Sequence, residues 1–262
     1  MTKQRLDMTK RLFASLDVYH DPDRSRSAAM NMAIDEALPE TAKTPSIRFY
    51  RWDHPALSFG YFGKFGQVAD YANERDLVRR WTGGGIVFHG NDLTYSLVVP
   101  ASDPVFSESA ISIYEAVHRA ICQGLAACGE RPELAVAAFC DRRAQQNSAL
   151  GSASLTTSAD RRYSNCFENP VPADVMLNGQ KVAGAAQRRT QHGLLQQGSI
   201  QLAIGRVRPT GGNVEFGNGF ADLFAKHLCG TRRQKRLDDT LLARARELAE
   251  QKYETDDWLT RR

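Results

Sequence analysis

The sequence predicts an α+β fold, a mixed and largely antiparallel β-sheet with helices packed on one face. Three observations carry this. Strand-like segments outnumber helical ones along the 262 residues. Short turns join several of them, Asn178-Gly179 being the strongest hairpin signal. Helical periodicities fall singly between hairpins instead of alternating one for one with strands, which disfavours a doubly wound parallel sheet.

Taken in order, residues 1–11 read as a flexible polar leader. Leu12–Val18 is strand-like. Ser27 is placed to cap a helix through Leu38, with Met30, Ile34 and Leu38 stacked at four-residue spacing, and Pro39 is expected to end it. Ile47–Trp52 alternates as a strand, and Leu57–Phe62 is aromatic-rich and strand-like. Asp76–Arg79 and Leu93–Val99 read as strands. Ser107–Cys128 is a helix, with Ile113, Val117, Ile121 and Leu125 on one face and Gly129 where a C-terminal glycine belongs. Arg142–Asn165 is polar, lacks an apolar period and reads as a mobile loop, within which 142–165 is expected to cover a site or act as a spacer. Asp174–Leu177, Gln180–Ala183 and Leu194–Leu202 are strands, Gly205–Asn218 a glycine-rich loop, and Leu237–Tyr253 a helix. One catalytic unit over 12–236, with 237–262 as its helical extension, is the expected organisation.

Composition narrows the class. Apolar residues make up 42%, charged residues 24%, and the net charge is +4, ordinary values for a globular chain. No basic stripe is interleaved with aromatics, so nucleic acid is not expected as a partner. No apolar run approaches the roughly 20 residues that span a bilayer, and the N-terminal stretch lacks a signal-peptide core. The five cysteines are odd in number and contain no Cys-x-x-Cys pair, which argues against a disulfide framework or a zinc site. Reduced thiols and a cytoplasmic location are expected, with no metal. Cys122 and Cys128 read as buried structural thiols.

The segment most suggestive of chemistry is Arg79-Arg80-Trp81-Thr82-Gly83-Gly84-Gly85-Ile86-Val87-Phe88-His89. Three glycines in a row leave backbone N–H groups without side-chain walls, a geometry suited to an anionic or polarised acyl group. No Lys-Ser/Thr follows, so it is not a P-loop, and the spacing does not fit a dinucleotide fingerprint. A plain glycine-rich turn with a basic rim is the alternative. Cys166, in Ser164-Asn165-Cys166-Phe167, stands at the end of the polar loop and is a candidate nucleophile if cations lower its pKa; an idle thiol is the alternative. Arg80, His89 and Lys181 are its candidate neighbours. Lys181 precedes small residues that would let a chain-like ligand approach, although a solvated hairpin lysine has the same pattern. His192 is expected in an exposed turn. Asp35 and Glu36 are expected on a solvated helix face. The basic run Arg232, Arg233, Lys235, Arg236 reads as surface charge that could receive an acidic carrier domain.

Several of these segments together resemble a known family. They are Asn31-Met32-Ala33-Ile34-Asp35-Glu36-Ala37-Leu38, the Arg79–His89 segment, Asp92-Leu93-Thr94-Tyr95-Ser96, Lys181-Val182-Ala183-Gly184-x-Ala186-Gln187-Arg188-Arg189, and Gln197-Gly198-Ser199-Ile200. In this order they are similar to the catalytic domain shared by biotin ligases, lipoate–protein ligases and octanoyltransferases, over residues 12–262. The resemblance implies a biotin/lipoate protein ligase-like, class II synthetase-like sheet. Cys166-Phe167, a turn, Asp174-Val175 and Lys181 look most like the cysteine-dependent octanoyltransferases, as does the ending Lys252-Tyr253-x-x-Asp256-x-Trp258-x-x-Arg261-Arg262. That likeness implies that Cys166 takes octanoate from octanoyl-acyl carrier protein. A lysine of the lipoyl domains of 2-oxoacid dehydrogenases, or of the glycine cleavage H protein, would then receive it. Lys181 would hold the acyl carbonyl and assist proton transfer. Arg80, Gly83, Gly84, Gly85 and His89 would wall the acyl pocket, with Gly184 and Ala186 alongside. No cofactor is implied for a transferase. The alternatives are an ATP- and magnesium-dependent lipoate–protein ligase using the same pocket, and a non-catalytic lipoyl or acyl-carrier binding module. A monomer is expected.

Overall fold

Asn178 and Gly179 both take positive φ, 51° and 75°. That is the backbone of a type I′ turn, whose twist matches the strands it joins. The turn connects β8 (Val175–Leu177) to β9 (Gln180–Thr190). These belong to an eight-stranded sheet with β1 (Phe13–Arg26), β2 (Ser46–Trp52), β6 (Asp92–Pro100), β7 (Glu133–Leu134), β10 (Gly193–Gln201) and β11 (Cys229–Lys235). The computed structural model describes residues 11–136, 169–201 and 215–261. Within them the strand order is β11-β1-β2-β6-β10-β9-β8-β7. The pairs β1/β11 and β1/β2 are parallel, and the rest of the sheet is antiparallel. A second sheet of β3 (Ala56–Phe59), β4 (Asp76–Arg79) and β5 (Val87–His89) stands beside it, in the order β4-β3-β5.

The expected α+β class, with a mixed and mostly antiparallel sheet, holds. The expectation of helices on one face does not, because the large sheet is covered on both. Strand alternation explains this. In β6, Leu93, Tyr95, Leu97 and Val99 join one core under α2 (Ala110–Ala127) and α3 (Glu215–Leu228). Val98 turns to the other face, as do Tyr50 and Trp52 of β2 and Leu195 of β10. There α1 (Ala28–Thr41) and α4 (Asp239–Leu248) cover them. A sheet apolar on both sides needs cover on both sides.

Helix starts follow their caps. Ser27 accepts from the Met30 N–H at 3.2 Å, Ser109 from Ser112 N–H at 3.0 Å, and Asp238 from Leu241 N–H at 2.8 Å, each satisfying a donor that the first turn leaves unpaired. Gly129 ends α2 with φ 89°, as its position predicted. Pro39 does not end α1, which continues to Thr41. So near the C-terminus proline forfeits one bond, and Ala42 N–H still reaches Leu38 O at 3.0 Å. The strand expected over Leu57–Phe62 stops at Phe59, where Tyr61 N–H leaves the ladder for Thr82 O. The expected helix over Leu237–Tyr253 is α-helical from Asp239 to Leu248 and finishes in a π-helical turn, Ala249–Tyr253. A short helix, α5 (Asp256–Thr260), follows.

Two elements were not expected. Residues 215–218, read as loop, open α3, and Arg232, Arg233 and Lys235 of the basic run lie in β11. Arg233 of β11 pairs with Asp17 at 2.6 Å. The leader up to residue 10, loop 142–165, Cys140, Cys166 and the glycine-rich stretch up to residue 214 lie outside the described residues.

Candidate functional site

The face of the sheet under α1 carries polar side chains in its middle. Arg48, Thr94, Ser96, Gln197 and Ser199 are all buried. A buried charge must be paired and hydrogen-bonded. Asp35 of α1, fully buried, meets that requirement. It accepts from Arg48 at 3.0 Å, Tyr50 Oη at 2.8 Å, Ser96 Oγ at 2.7 Å and Gln197 Nε2 at 2.8 Å. Gln197 Oε1 in turn accepts from Thr82 Oγ1 at 2.7 Å. Helix α1 is thus tied through one amide to the residue preceding the glycine turn. The expectation that Asp35 and Glu36 lie on a solvated face is corrected. Helix α1 is covered by α4 and the π-helical turn after it as well as by the sheet, so Glu36 meets Lys252 at 2.6 Å and also accepts from Tyr253 Oη.

A cavity opens between this polar row, the second sheet and β9. Arg80, Gly84, His89, Lys181, Gly184 and Ala186 line it, six of the residues expected at the site. The Arg80 guanidinium does not simply face the cavity. It donates to Ser58 Oγ at 2.7 Å and to the carbonyls of Gly83 at 3.0 Å and Gly85 at 2.8 Å. Two of the three glycines therefore give their carbonyls to Arg80, while Gly84, at φ 88°, lines the cavity. Any larger residue would be strained at that backbone angle.

His89 is held on both ring nitrogens. Nδ1 lies 2.8 Å from Asp92 Oδ2, and Nε2 lies 2.6 Å from Ser58 Oγ. Trp52 stacks on the ring with centroids 4.0 Å apart. Asp92 also accepts from Thr94 Oγ1 at 2.9 Å, Ser199 Oγ at 2.7 Å and Gly90 N–H at 3.0 Å. Burial alone would raise its pKa, but His89 and these hydrogen bonds outweigh burial and hold it at about 2.

Lys181 is 6% exposed and Asp174 is fully buried, with Lys181 Nζ 2.8 Å from Asp174 Oδ2. The expected alternative, a solvated hairpin lysine, is excluded by this burial. Asp174 also accepts from Tyr114 Oη at 2.6 Å and Val171 N–H at 2.7 Å. Burial and this neighbouring carboxylate push the Tyr114 pKa well up. Beside them His118 donates Nδ1–H to Ala173 O at 2.7 Å, holding a residue whose φ is 68°. Burial pushes His118 down to about 4, so its ring is neutral. Gly184 lines up with this group for a steric reason: a Cβ there would stand 2.6 Å from Lys181 Nζ.

Cys166 lies outside the described residues. The described residues resume at Asn169, and five residues on the chain supplies Asp174. Cys122 and Cys128 are half-buried, and burial pushes Cys122 to about 12, which suits inert thiols. His192 is exposed, as expected. Ser58, Asp92, Asp174 and Trp52 were not singled out from sequence. Asp92 and Asp174 lay inside motif segments, and a carboxylate bordering an apolar strand was the signal to follow. Ser58 and Trp52 carried none. No helix among the described residues is long and apolar enough to cross a membrane.

Comparison with known proteins gives the same grouping. Residues 27–206 match the family described as lipoyl protein ligase A/B catalytic domain. An octanoyltransferase LipM from Macrococcus caseolyticus is 36% identical over 182 residues, 66% of this chain and 62% of that protein. The chain thus spans less than two thirds of that relative. Its counterpart from Halalkalibacterium halodurans is 30% identical over 273 residues, 89% of this chain and 95% of that protein. Among solved structures, protein Ta0514 of T. acidophilum with bound lipoic acid aligns at a TM-score of 0.68 and 22% identity, covering 95% of this chain and 99% of that one. That likeness shows the fold. Matched over most of its length by sequence, the chain belongs to the lipoyl protein ligase A/B catalytic-domain family.

Proposed function

We propose that this protein is an octanoyltransferase. Cys166 takes the octanoyl group from octanoyl-acyl carrier protein as a thioester and passes it to a lysine of a lipoyl domain. The observation that carries the reading is Lys181. It is a buried lysine on the wall of a cavity that small residues such as Gly184, Ala185 and Ala186 also line, in a chain whose relatives bear the name octanoyltransferase LipM. Lys181 donates to the acyl carbonyl and stabilises the charge that develops there. The alkyl chain occupies the cavity, where burial contributes about 0.8 kcal/mol per CH₂. Exchange between two thioesters is nearly balanced and amide formation is downhill, so the reading needs no ATP and no metal. The acceptor is a lipoyl domain of a 2-oxoacid dehydrogenase or the H protein of glycine cleavage.

Intact-mass spectrometry after incubation with octanoyl-acyl carrier protein tests this. The expected result is one octanoyl adduct, absent from Cys166→Ala. Lipoate- and ATP-dependent pyrophosphate release that survives this substitution would instead identify a ligase. The absence of both signals would leave a binding module.

A further inference from the structure

We propose that Arg188 and Arg261 form a cationic rim beside the cavity that selects acceptor lysines flanked by carboxylates, a selection that rests on the transfer reading above. Both residues belong to motif segments that the acyl site leaves unused, Gln187-Arg188-Arg189 of β9 and the ending Lys252–Arg261. Side chains alternate along a strand, so Arg188 stands on the same face of β9 as Gly184 and Ala186, which line the cavity. It lies two residues beyond Ala186, about 7 Å along the strand. Its guanidinium covers the rings of Trp81 and Tyr61, 4.4 and 5.0 Å from their centroids, and donates to Trp81 O at 3.0 Å. Trp81 joins Arg80 to Thr82, so this stack is continuous with the glycine turn.

Arg261 covers Tyr61 as well, at 5.1 Å, and Trp258 at 5.1 Å. Two guanidiniums thus share one aromatic ring, and among the described residues neither is paired with a carboxylate. Asp256 and Asp257, exposed on α5, pair with neither. The third cation of the cluster, Lys252, is neutralised by Glu36 at 2.6 Å. Burial, with smaller effects from Arg188 and Arg261, holds Lys252 below its ordinary pKa despite Glu36. The charge of the two arginines is left uncompensated. Arg188 is half-buried and Arg261 exposed. A guanidinium carries five N–H donors, and Arg188 spends one on Trp81 O.

A basic rim is an unfavourable neighbour for a site that must admit a lysine. The entering side chain is repelled unless its own protein supplies carboxylates to meet the two arginines. A lysine stem spans about 6 Å, so the acceptor surface around that lysine comes down onto the rim. An acyl carrier holds its thioester at the end of an arm of roughly a dozen bonds, about 15 Å, which keeps the carrier's own surface farther out. The rim therefore fits the acceptor and not the donor. The basic run of β11 is remote from the cavity, because β1, β2, β6 and β10 lie between it and β9, and Arg233 is already paired with Asp17. Lysines with neutral or basic neighbours are rejected by the same charges, which is discrimination by repulsion.

The test uses a lipoyl domain whose acceptor lysine has acidic neighbours, and the same domain with those neighbours changed to amides. Transfer from octanoyl-acyl carrier protein is measured for wild type, Arg261→Gln and the double variant Arg188→Gln/Arg261→Gln. Arg261→Gln should raise KM for the acidic acceptor about 5-fold and the double variant about 20-fold. In both, kcat and the KM of octanoyl-acyl carrier protein should change by less than about 2-fold, because a rim charge acts on encounter with its own partner. Neutralising the acceptor should raise KM for wild type and add nothing in the double variant, since the two changes remove one interaction. These differences should close as salt rises to about 0.5 M. Equal KM values for the two acceptors with wild type, or a loss that falls on kcat or on the donor's KM, would overturn the rim and leave acyl transfer standing. A wild type that transfers octanoate to neither acceptor would remove both. Arg261 is exposed near the end of the chain, so its single variant keeps the test open should the double variant fail to fold.

Discussion

Lys181 Nζ occupies the space that a side chain at Gly184 would fill, and it meets Asp174 Oδ2 there at 2.8 Å. The lysine thus reaches the cavity only because a residue three positions on in the same strand has no Cβ. Gly184→Ala should leave the fold standing, since the obstructing atoms are the free end of a flexible side chain, yet displace the ammonium. Octanoyl transfer should drop about 100-fold, the scale associated with misplacing a reacting group by about 1 Å. Comparing steady-state transfer rates with the unfolding midpoint in urea separates the two effects.

Asp174→Asn is expected to act on stability as well. Removing one partner of a buried pair leaves an uncompensated charge, at a cost of about 3–5 kcal/mol. Urea unfolding at pH 7 should show that loss. Tyr114→Phe, which removes one of the donors to Asp174 and the acceptor of Ala185 N–H while keeping the charge, should lose less, about 1.5–3 kcal/mol.

His118 imposes a pH dependence. Its pKa is 6.5 ordinarily and about 4 in the folded chain, so between these values the unfolded state binds more protons. The stability associated with the neutral ring is complete above about 6.5 and is lost as pH falls to about 4. The integrated loss is about 3 kcal/mol. Unfolding free energies measured from pH 7 to pH 4 should decline by that amount beyond the carboxylate contribution, and His118→Gln should flatten the curve. An unchanged slope in that variant would count against a buried neutral ring.

Trp258 is expected to matter well beyond its own contacts. Its indole N–H donates to Arg79 O at 3.0 Å, while the Arg79 side chain donates to Trp258 O at 2.9 Å and to Leu259 O at 2.8 Å. Arg79 is fully buried and also reaches Tyr61 O and Gly63 O. Trp258→Ala should cost about 3–5 kcal/mol and, because Arg80 is the next residue, should also weaken retention of the acyl group. Calorimetry paired with adduct formation checks both parts.

Local signals in the sequence were sufficient where a single residue decides the outcome. Ser27, Gly129 and Asn178-Gly179 each fix one backbone event, and each stands where its pattern placed it. Elements decided by distant partners were not readable. Strand β11 exists because it lies against β1, Phe13 pairing with Cys229, and no local pattern in Gly230–Arg236 announces that. Helix α3 was hidden by a glycine-rich start. At the site, Arg80, His89, Lys181 and the glycines were found because motif spacing marked them. Ser58 was not, because a serine in a short buried strand looks like any other until Arg80 and His89 close around it. Asp35 was misjudged because its partners, Arg48, Tyr50, Ser96 and Gln197, come from three strands distant in sequence, which the periodicity of α1 does not show.

The alternation along β6 has one more consequence. Tyr95 faces the apolar core beneath α2 and α3, while Ser96, its neighbour, bonds Asp35 on the opposite side. Adjacent residues therefore answer to separate demands, one to cohesion and one to chemistry. Selection can reshape the cavity wall by changing every second position of the central strands, and the oily half of the molecule need not register the change.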